Sequence, residues 1–499
     1  MKRGKILDFG HARKYFLKSG NYFTVPLPKY FDFDVVLREA AEKINGRELF
    51  DCCDFEKLLT AEGVNYKLAT SKDGKYAWRE FMMMHPVLYL ELVKTVTEPK
   101  NWELIYNKMR LFGEQSEVIV VSPLPGDEDE KNPAASSILK WWRGIEQESI
   151  KMSLYYSNMA ETDILECYNS MNPRLVALAL DGPRAENGVG HRIAWLISKT
   201  MGGEVNGMPQ GSALTDYLAE IVLSYIDVVF SNRLKEELPK VDYTIYRYRD
   251  DYRVFTKDEV TARKILKLLS VVLARFGFKL NPAKTVVYDD IIDAARKKDK
   301  GHFEMSVCEM KNAGIQKVLL SICDMSRKFP NSGGVLRAMI ELYENKIVKL
   351  EHRPADAYQI MALTGDIMVR SPRTCQVGVA ILCKIMSFNP GISRKSLARK
   401  IMAKAGVMPN TDYFEAWVQR ITMKNRPGEK YKGQLCRVSY EVGAKIWNSE
   451  WLDFDLCDAK VIRKAVVREM DYIMPVEEVQ SFYGYHDGGI LDEEFREMG

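Results

Sequence analysis

Three aspartates are the residues in this chain best placed to do chemistry. Asp250 and Asp251 are adjacent in Tyr248-Arg249-Asp250-Asp251, and Asp163 lies upstream in Glu161-Thr162-Asp163-Ile164-Leu165-Glu166. Two carboxylates side by side on a tight turn repel each other, so something must offset that cost. A divalent cation can do so, because hard cations prefer carboxylate oxygens. Asp is also an ordinary turn former, so the pair by itself is equally compatible with a polar turn. Its meaning depends on what surrounds it.

The flanking segments must position these carboxylates. Residues 243–247 and 252–256 are rich in β-formers, which predicts a hairpin with both carboxylates at its tip. The stretch from Met159 reads as a strand that ends by presenting Asp163. Gly207-Met208-Pro209-Gln210-Gly211-Ser212 precedes Leu214, Leu218, Ile221, Val222, Tyr225, Ile226 and Val229, which share one helix face. A fourth block, Gly277-Phe278-Lys279-Leu280-Asn281-Pro282-Ala283-Lys284-Thr285, follows the hairpin.

In this order and at these separations the four blocks resemble the palm motifs of reverse transcriptases. Asp163 matches the first catalytic aspartate, and Asp250 and Asp251 match the aspartate pair. Pro209-Gln210-Gly211 matches the loop that opens the template- and nucleotide-facing helix, and 277–284 matches the block ending in a lysine. The resemblance implies nucleotidyl transfer to a 3′ oxygen, assisted by two Mg²⁺ ions roughly 3.5–4 Å apart, with Mn²⁺ as an alternative. It implies that Asp163, Asp250 and Asp251, with the Ile164 carbonyl, hold the metal. Tyr168 falls where the family has a ring packed under the sugar, which excludes a 2′-OH and favours deoxynucleotides. Gln210 and Lys284 are implied nucleotide contacts. Lys72-Asp73-Gly74-Lys75-Tyr76-Ala77-Trp78-Arg79 resembles the fingers hairpin, in which Lys72 and Arg79 would grip the triphosphate. A solvated basic turn accounts for that segment equally well. His85, before Pro86, reads as a structural residue.

Further phrases narrow the resemblance. Leu27-Pro28-Lys29-Tyr30-Phe31-Asp32-Phe33, His85-Pro86-Val87-Leu88-Tyr89-Leu90, and Tyr168-Asn169-Ser170 resemble the Abi group of bacterial reverse transcriptases, which act in abortive infection against phage. That resemblance implies an α+β right-hand fingers and palm followed by an all-α, HEAT-like repeat domain in place of a thumb. It places a polymerase half at 1–300, with fingers at 1–150 and about 172–206 and palm at about 151–171 and 207–295, and a helical half at 301–499. It also implies a homo-oligomer that makes single-stranded DNA from dNTPs without a template, covalently attached to a protein tyrosine. Tyr15, Tyr22, Tyr30 and any exposed tyrosine near the palm are candidates for that tyrosine. Arg249 departs from the small residue that many templated relatives carry there.

The rest of the sequence fits a two- or three-domain globular chain: 499 residues, 46% hydrophobic. A net charge of +4 is slight for a protein that clamps a long duplex and suits contact with a short single strand. Arg296-Lys297-Lys298-Asp299-Lys300 is a local basic run that reads as a solvated loop between domains. Nine cysteines without a Cys-x-x-Cys predict reduced thiols and a cytoplasmic location. No apolar core follows the basic N-terminus and no run of 18 apolar residues exists, which argues against a signal peptide or a membrane span.

From about 303 to 425, apolar-periodic segments are broken by Pro, Gly and Asn. The stretch from Phe329-Pro330-Asn331 echoes that from Ser371-Pro372-Arg373 at an offset of 42, with a further break at Pro409. This period is that of helix-pair repeats, although an irregular bundle would also satisfy it. None of the six histidines has an Arg five residues before it, so the Arg-x4-His pair of HEPN ribonucleases is absent. Two other functions remain open on sequence: a templated polymerase of retron or group II intron type, and a non-catalytic scaffold that senses nucleotide or nucleic acid.

Overall fold

Strands and helices alternate through the first three fifths of the chain, and the described residues beyond them form helices joined by turns and loops, with no further strand. The computed structural model describes residues 7–123, 125, 142–201, 207–296, 313–425 and 431–481. A two-stranded antiparallel hairpin, β1 (Tyr66–Ser71) and β2 (Trp78–Met83), stands apart from a five-stranded sheet. The sheet contains β3 (Val118–Val120), β4 (Asn158–Asp163), β5 (Tyr243–Tyr248), β6 (Asp251–Thr256) and β7 (Val286–Tyr288), in the order β3-β5-β6-β4-β7. Its central pairings are antiparallel, as the sequence suggests. The β3–β5 edge pairing is parallel, which it does not suggest. β3 is only three residues long, too short for periodicity to reveal it. It comes from the stretch assigned on sequence to the fingers.

The expected hairpin forms, with a correction at its tip. Tyr248 pairs with Asp251, so the turn consists of Arg249 and Asp250, and Asp251 is the first residue of β6. Arg249 has φ +55, a left-handed conformation that two-residue hairpin turns usually reserve for glycine. Its N–H donates to Ser122 Oγ at 2.7 Å, which ties the turn to the residues after β3.

Several helices pack around this frame. They include α1 (Pro86–Val96), α2 (Arg174–Asp181), α3 (Val189–Thr200), α4 (Ala213–Glu237) and α5 (Glu259–Arg275). Ser212 caps α4, its Oγ accepting from the Thr215 N–H at 3.1 Å. α4 is buried on most sides, and along it Glu220, Ser224 and Asp227 are buried together. Arg247, fully buried on β5, donates to Glu220 at 2.7 Å and to Asp227 at 2.7 Å. Buried charges persist only when paired in this way.

The C-terminal part stacks three helix pairs. These are α6 (Ile315–Lys328) with α7 (Gly333–Leu342), α8 (Ala357–Arg370) with α9 (Cys375–Ser387), and α10 (Arg394–Ala405) with α11 (Asp412–Gln419). Residues at matching places in successive pairs touch. The Arg373 N–H donates to Asn331 Oδ1 at 2.8 Å, 42 residues away, and Gln376 Nε2 donates to the Tyr413 hydroxyl at 3.1 Å, 37 residues away.

The helical tail from α11 onward returns to the N-terminal region. Trp417 Nε1 donates to the Pro26 carbonyl, Trp447 Nε1 to the Met83 carbonyl, and Arg463 pairs with Asp32 at 2.8 Å. His85 is fully buried against Trp451 and Trp447 and bonds to Ser449 Oγ, which bears out its structural reading. Described cysteines are free thiols, and no helix among the described residues is long and apolar enough to cross a membrane. Residues 297–300 of the basic run lie outside the described residues.

Candidate active site

Strand register puts the aspartates together. Asp163 ends β4 directly opposite Asp251 at the start of β6, and the Ile164 N–H donates to the Asp250 carbonyl at 3.2 Å. The Asn281 N–H donates to the Asp163 carbonyl at 2.9 Å, and the Leu165 N–H to the Lys279 carbonyl at 2.8 Å. These bonds draw the fourth sequence block onto the site. Lys284 consequently reaches Asp163 Oδ2 and forms an ion pair with it. The Ile164 side chain is buried, so only its backbone could serve a ligand there.

The charges are uneven. Loss of bulk solvent in the cleft raises the Asp250 pKa, and the Asp163 charge adds to that. Asp251 has surface open to water, yet the cleft and then the Asp250 charge push it up to about 7. Burial works against the Lys284 ammonium, but Asp163, Asp251 and Asp250 together hold its pKa above the ordinary lysine value. Asp163 Oδ1 is buried with no hydrogen-bond partner. An unpartnered carboxylate oxygen next to the Asp250–Asp251 pair is oxygen chemistry of the kind a hard divalent cation takes, but among the described residues no three acidic side chains are drawn together into a ready-made metal cluster.

The β1–β2 hairpin faces this cluster. Its loop begins with Lys72, whose pKa is lowered by partial burial and then by the nearby Arg79 charge. Arg79 is also lowered by burial, while the Asp250 charge acts in the opposite direction. Gly74 has φ +70, and a Cβ there would lie 2.4 Å from the Val369 carbonyl oxygen. The hairpin tip therefore rests on the end of α8, in the helical tail.

Gln210 sits in the loop before α4, where its carbonyl accepts from the Met82 N–H at 2.7 Å. Its neighbour Gly211 has φ +131, and its carbonyl accepts from the Thr24 N–H at 2.8 Å. This loop joins the hairpin to the long helix. Tyr168 is half-buried behind the turn, and its hydroxyl donates to Asp216 Oδ1 at 2.6 Å. Burial, then the Asp216 charge, holds the Tyr168 pKa well above the ordinary tyrosine value, so the hydroxyl stays protonated.

Lys72, Arg79, Tyr168 and Lys284 thus gather around Asp163, Asp250 and Asp251, with Gln210 at the base of the hairpin. Sequence reasoning missed Asp216, Arg249 as its partner, and the buried Arg247 cluster. Glu220, Ser224 and Asp227 recur at helical spacing on an otherwise apolar helix, a signal that could have exposed that cluster. It also missed Arg373. This residue lines a cavity of about 560 Å³ between the sheet and the helical tail, with Glu161, Arg253, Arg296 and Lys328.

Of the proposed priming tyrosines, Tyr22 and Tyr30 are core residues. Tyr22 bonds to the Met84 carbonyl and Tyr30 to Gln419 Oε1 at 3.2 Å. Burial first, then neighbouring charges, raises both well above the usual tyrosine range. Tyr15 is partly buried. Tyr76, in the hairpin loop, is 80% exposed.

Comparison with known proteins agrees with this arrangement. The family model for reverse transcriptase (RNA-dependent DNA polymerase) matches residues 164–314. That span contains Tyr168, Gln210, Asp250, Asp251 and Lys284, and begins one residue after Asp163. No curated protein matches. Among solved structures, telomerase from Candida albicans with a TWJ fragment of telomeric RNA is 11% identical, at TM-score 0.31, covering 78% of this chain and 68% of that one. Telomerase from Candida tropicalis with the same kind of RNA fragment is 12% identical, at TM-score 0.30, covering 71% and 65%. Likeness this slight carries no argument about the present chain. The family match and the site together make residues 164–314 a reverse transcriptase domain and the chain a nucleotidyltransferase.

Proposed function

We propose that the protein is a DNA polymerase of the Abi type, which builds single-stranded DNA from dNTPs on one of its own tyrosines without a template. In this reading it acts in the cytoplasm, as a homo-oligomer, in defence against phage. Residues 1–300 form the polymerase half, and the HEAT-like helix pairs of 301–499 stand where a thumb would be. The observation that carries the catalytic part is the strand register that sets Asp163 opposite Asp251 at the tip of the Asp250–Asp251 hairpin, with Asp163 Oδ1 buried and unpartnered.

Each residue has a role in that reading. Asp163, Asp250, Asp251 and the Ile164 carbonyl hold Mg²⁺. Bound there, the metal would lower the pKa of the attacking hydroxyl and neutralise charge on the leaving pyrophosphate. Lys72 and Arg79 bind the triphosphate from the hairpin side, and Lys284 balances the Asp163 charge while the site is open. Gln210 sets the loop under the incoming nucleotide. Tyr168 forms the wall beneath its sugar. A tyrosine hydroxyl, pKa about 10, is a weak nucleophile at neutral pH and needs such activation. Tyr76 is the candidate that the exposures favour, because Tyr22 and Tyr30 would have to leave the core to react.

The test is incubation with labelled dNTPs and Mg²⁺, with no added template or primer. Label should stay on the protein band after denaturation and heating. Label that forms only when template and primer are supplied would establish the templated alternative, consistent with the RNA-dependent description of the matched family. Absence of label under both conditions would favour a non-catalytic scaffold.

A further inference from the structure

We propose that Asp216 and Arg249 are positioning residues that hold the Tyr168 ring rigid and so set how strongly the site rejects ribonucleotides. The inference rests on the reading of Tyr168 as the wall beneath the sugar and extends it to two residues that the motifs do not assign.

The geometry is a chain of three side chains from three elements. Tyr168 follows β4, Asp216 lies in the first turn of α4, and Arg249 is the first residue of the hairpin turn. The Tyr168 hydroxyl donates to one Asp216 oxygen at 2.6 Å, and Arg249 Nη1 donates to the other at 3.0 Å. Both carboxylate oxygens are therefore engaged, one by each partner. A carboxylate in the first turn of a helix is also favoured by the helix dipole.

Arg249 is itself fixed at both backbone ends. Its N–H donates to Ser122 Oγ at 2.7 Å, and its carbonyl accepts from Arg247 Nη1 at 2.9 Å. Arg247 is anchored in turn by Glu220 and Asp227 inside α4. The turn that carries Asp250 and the ring of Tyr168 are thus parts of one hydrogen-bonded frame. Tyr168, Asp216, Arg249 and Asp250 line the same small cavity.

Selectivity against a single hydroxyl depends on how little the wall can yield. A tyrosine anchored at its hydroxyl cannot swing away from a 2′-OH without breaking a charge-assisted bond. Released from Asp216, the ring gains that freedom, and a ribonucleotide is admitted at lower cost. The expected loss for one such bond is roughly five- to tenfold in discrimination.

The experiment measures kcat/KM for a dNTP and for its matching rNTP on the full chain and takes their ratio. Asp216→Ala, Arg249→Met and Tyr168→Phe should each lower the ratio by roughly five- to tenfold. Arg249→Lys, which keeps a cation beside Asp216, should restore most of it. Asp216→Ala combined with Tyr168→Phe should fall no further than either alone, because both remove the same bond. A residue that only stabilises the fold would lower both kcat/KM values together and leave the ratio alone. Should Asp216→Ala fail to fold, Tyr168→Phe and Arg249→Met decide, since Tyr168→Phe keeps the ring. If Tyr168→Ala lowers the ratio while these three variants keep the parental value, the wall stands and its latch is overturned. Additive losses in the double variant overturn the latch as well. If Tyr168→Ala also leaves the ratio unchanged, the wall itself is refuted, and the latch with it.

Discussion

Gly74 lies against the Val369 carbonyl so closely that a Cβ on it would stand 2.4 Å from that oxygen. The β1–β2 hairpin and the helical tail are therefore in van der Waals contact at the hairpin tip. The hairpin's place over the carboxylates is set partly by residues nearly 300 positions later in the chain.

Gly74→Ala is the direct probe of that contact. The substitution is strained twice, by φ +70 and by the approach to Val369 and to Arg370 Cα at 2.7 Å. The tip must shift off α8, carrying Lys72 and Arg79 with it. Strain of this kind costs about 1–3 kcal/mol, so kcat/KM for nucleotide incorporation should fall by roughly tenfold or more. A parental rate would show that the tip contact does not position the hairpin.

Asp250→Asn tests the metal-holding assignment. It removes one of the three charges while preserving the shape of the turn. Incorporation at ordinary Mg²⁺ should drop by roughly a hundredfold or more, as should that of the unaltered protein after chelation with EDTA. Incorporation close to that of the parent in the variant would remove Asp250 from the site.

The Arg247 cluster carries a stability prediction. Arg247 is fully buried and bonded to Glu220, Asp227 and the Arg249 carbonyl. Burial raises the Asp227 pKa to about 6, with Arg247 working against that rise. Arg247→Met would leave two carboxylates buried without their cation. Urea denaturation should report a loss of about 3–5 kcal/mol. A loss below about 1 kcal/mol would mean that water or protonation replaces the arginine.

His85 contributes one acid-sensitive part of the fold's stability. Burial alone lowers its pKa from 6.5 to about 3. A basic group lowered on folding contributes stability that is complete above pH 6.5 and is lost as the pH falls toward 3. At pH 5.5 the loss is about 1.4 kcal/mol. Asp251, raised to about 7, and Asp227, raised to about 6, gain stability over the same fall in pH, so the His85 share is read by comparison: between urea melts at pH 7.5 and 5.5, the parent should lose about 1.4 kcal/mol more, or gain that much less, than His85→Asn, which retains an acceptor for the Val87 N–H. The same pH dependence in His85→Asn as in the parent would show that His85 does not titrate on folding.

The local parts of this protein were legible in its residues. The 243–256 hairpin, the strand ending at Asp163 and the capped helix after Gly211 each follow from short-range pattern, because period and turn chemistry act over a few residues. The helical character of the tail was likewise present in the sequence as apolar-periodic segments broken by Pro, Gly and Asn. The three aspartates stood out as candidates in the sequence because metal chemistry demands that residue type.

What only the tertiary structure decided is who stands beside whom. The parallel edge strand β3 is too short to show a period. The turn consists of Arg249 and Asp250, with Asp251 in the strand, because cross-strand register fixes the pairing of Tyr248. The buried Arg247 cluster, the Tyr168–Asp216–Arg249 chain and the seat of Gly74 on α8 join residues 20 to 300 positions apart. Such contacts are set by how layers pack, and sequence periodicity carries no record of packing between distant elements.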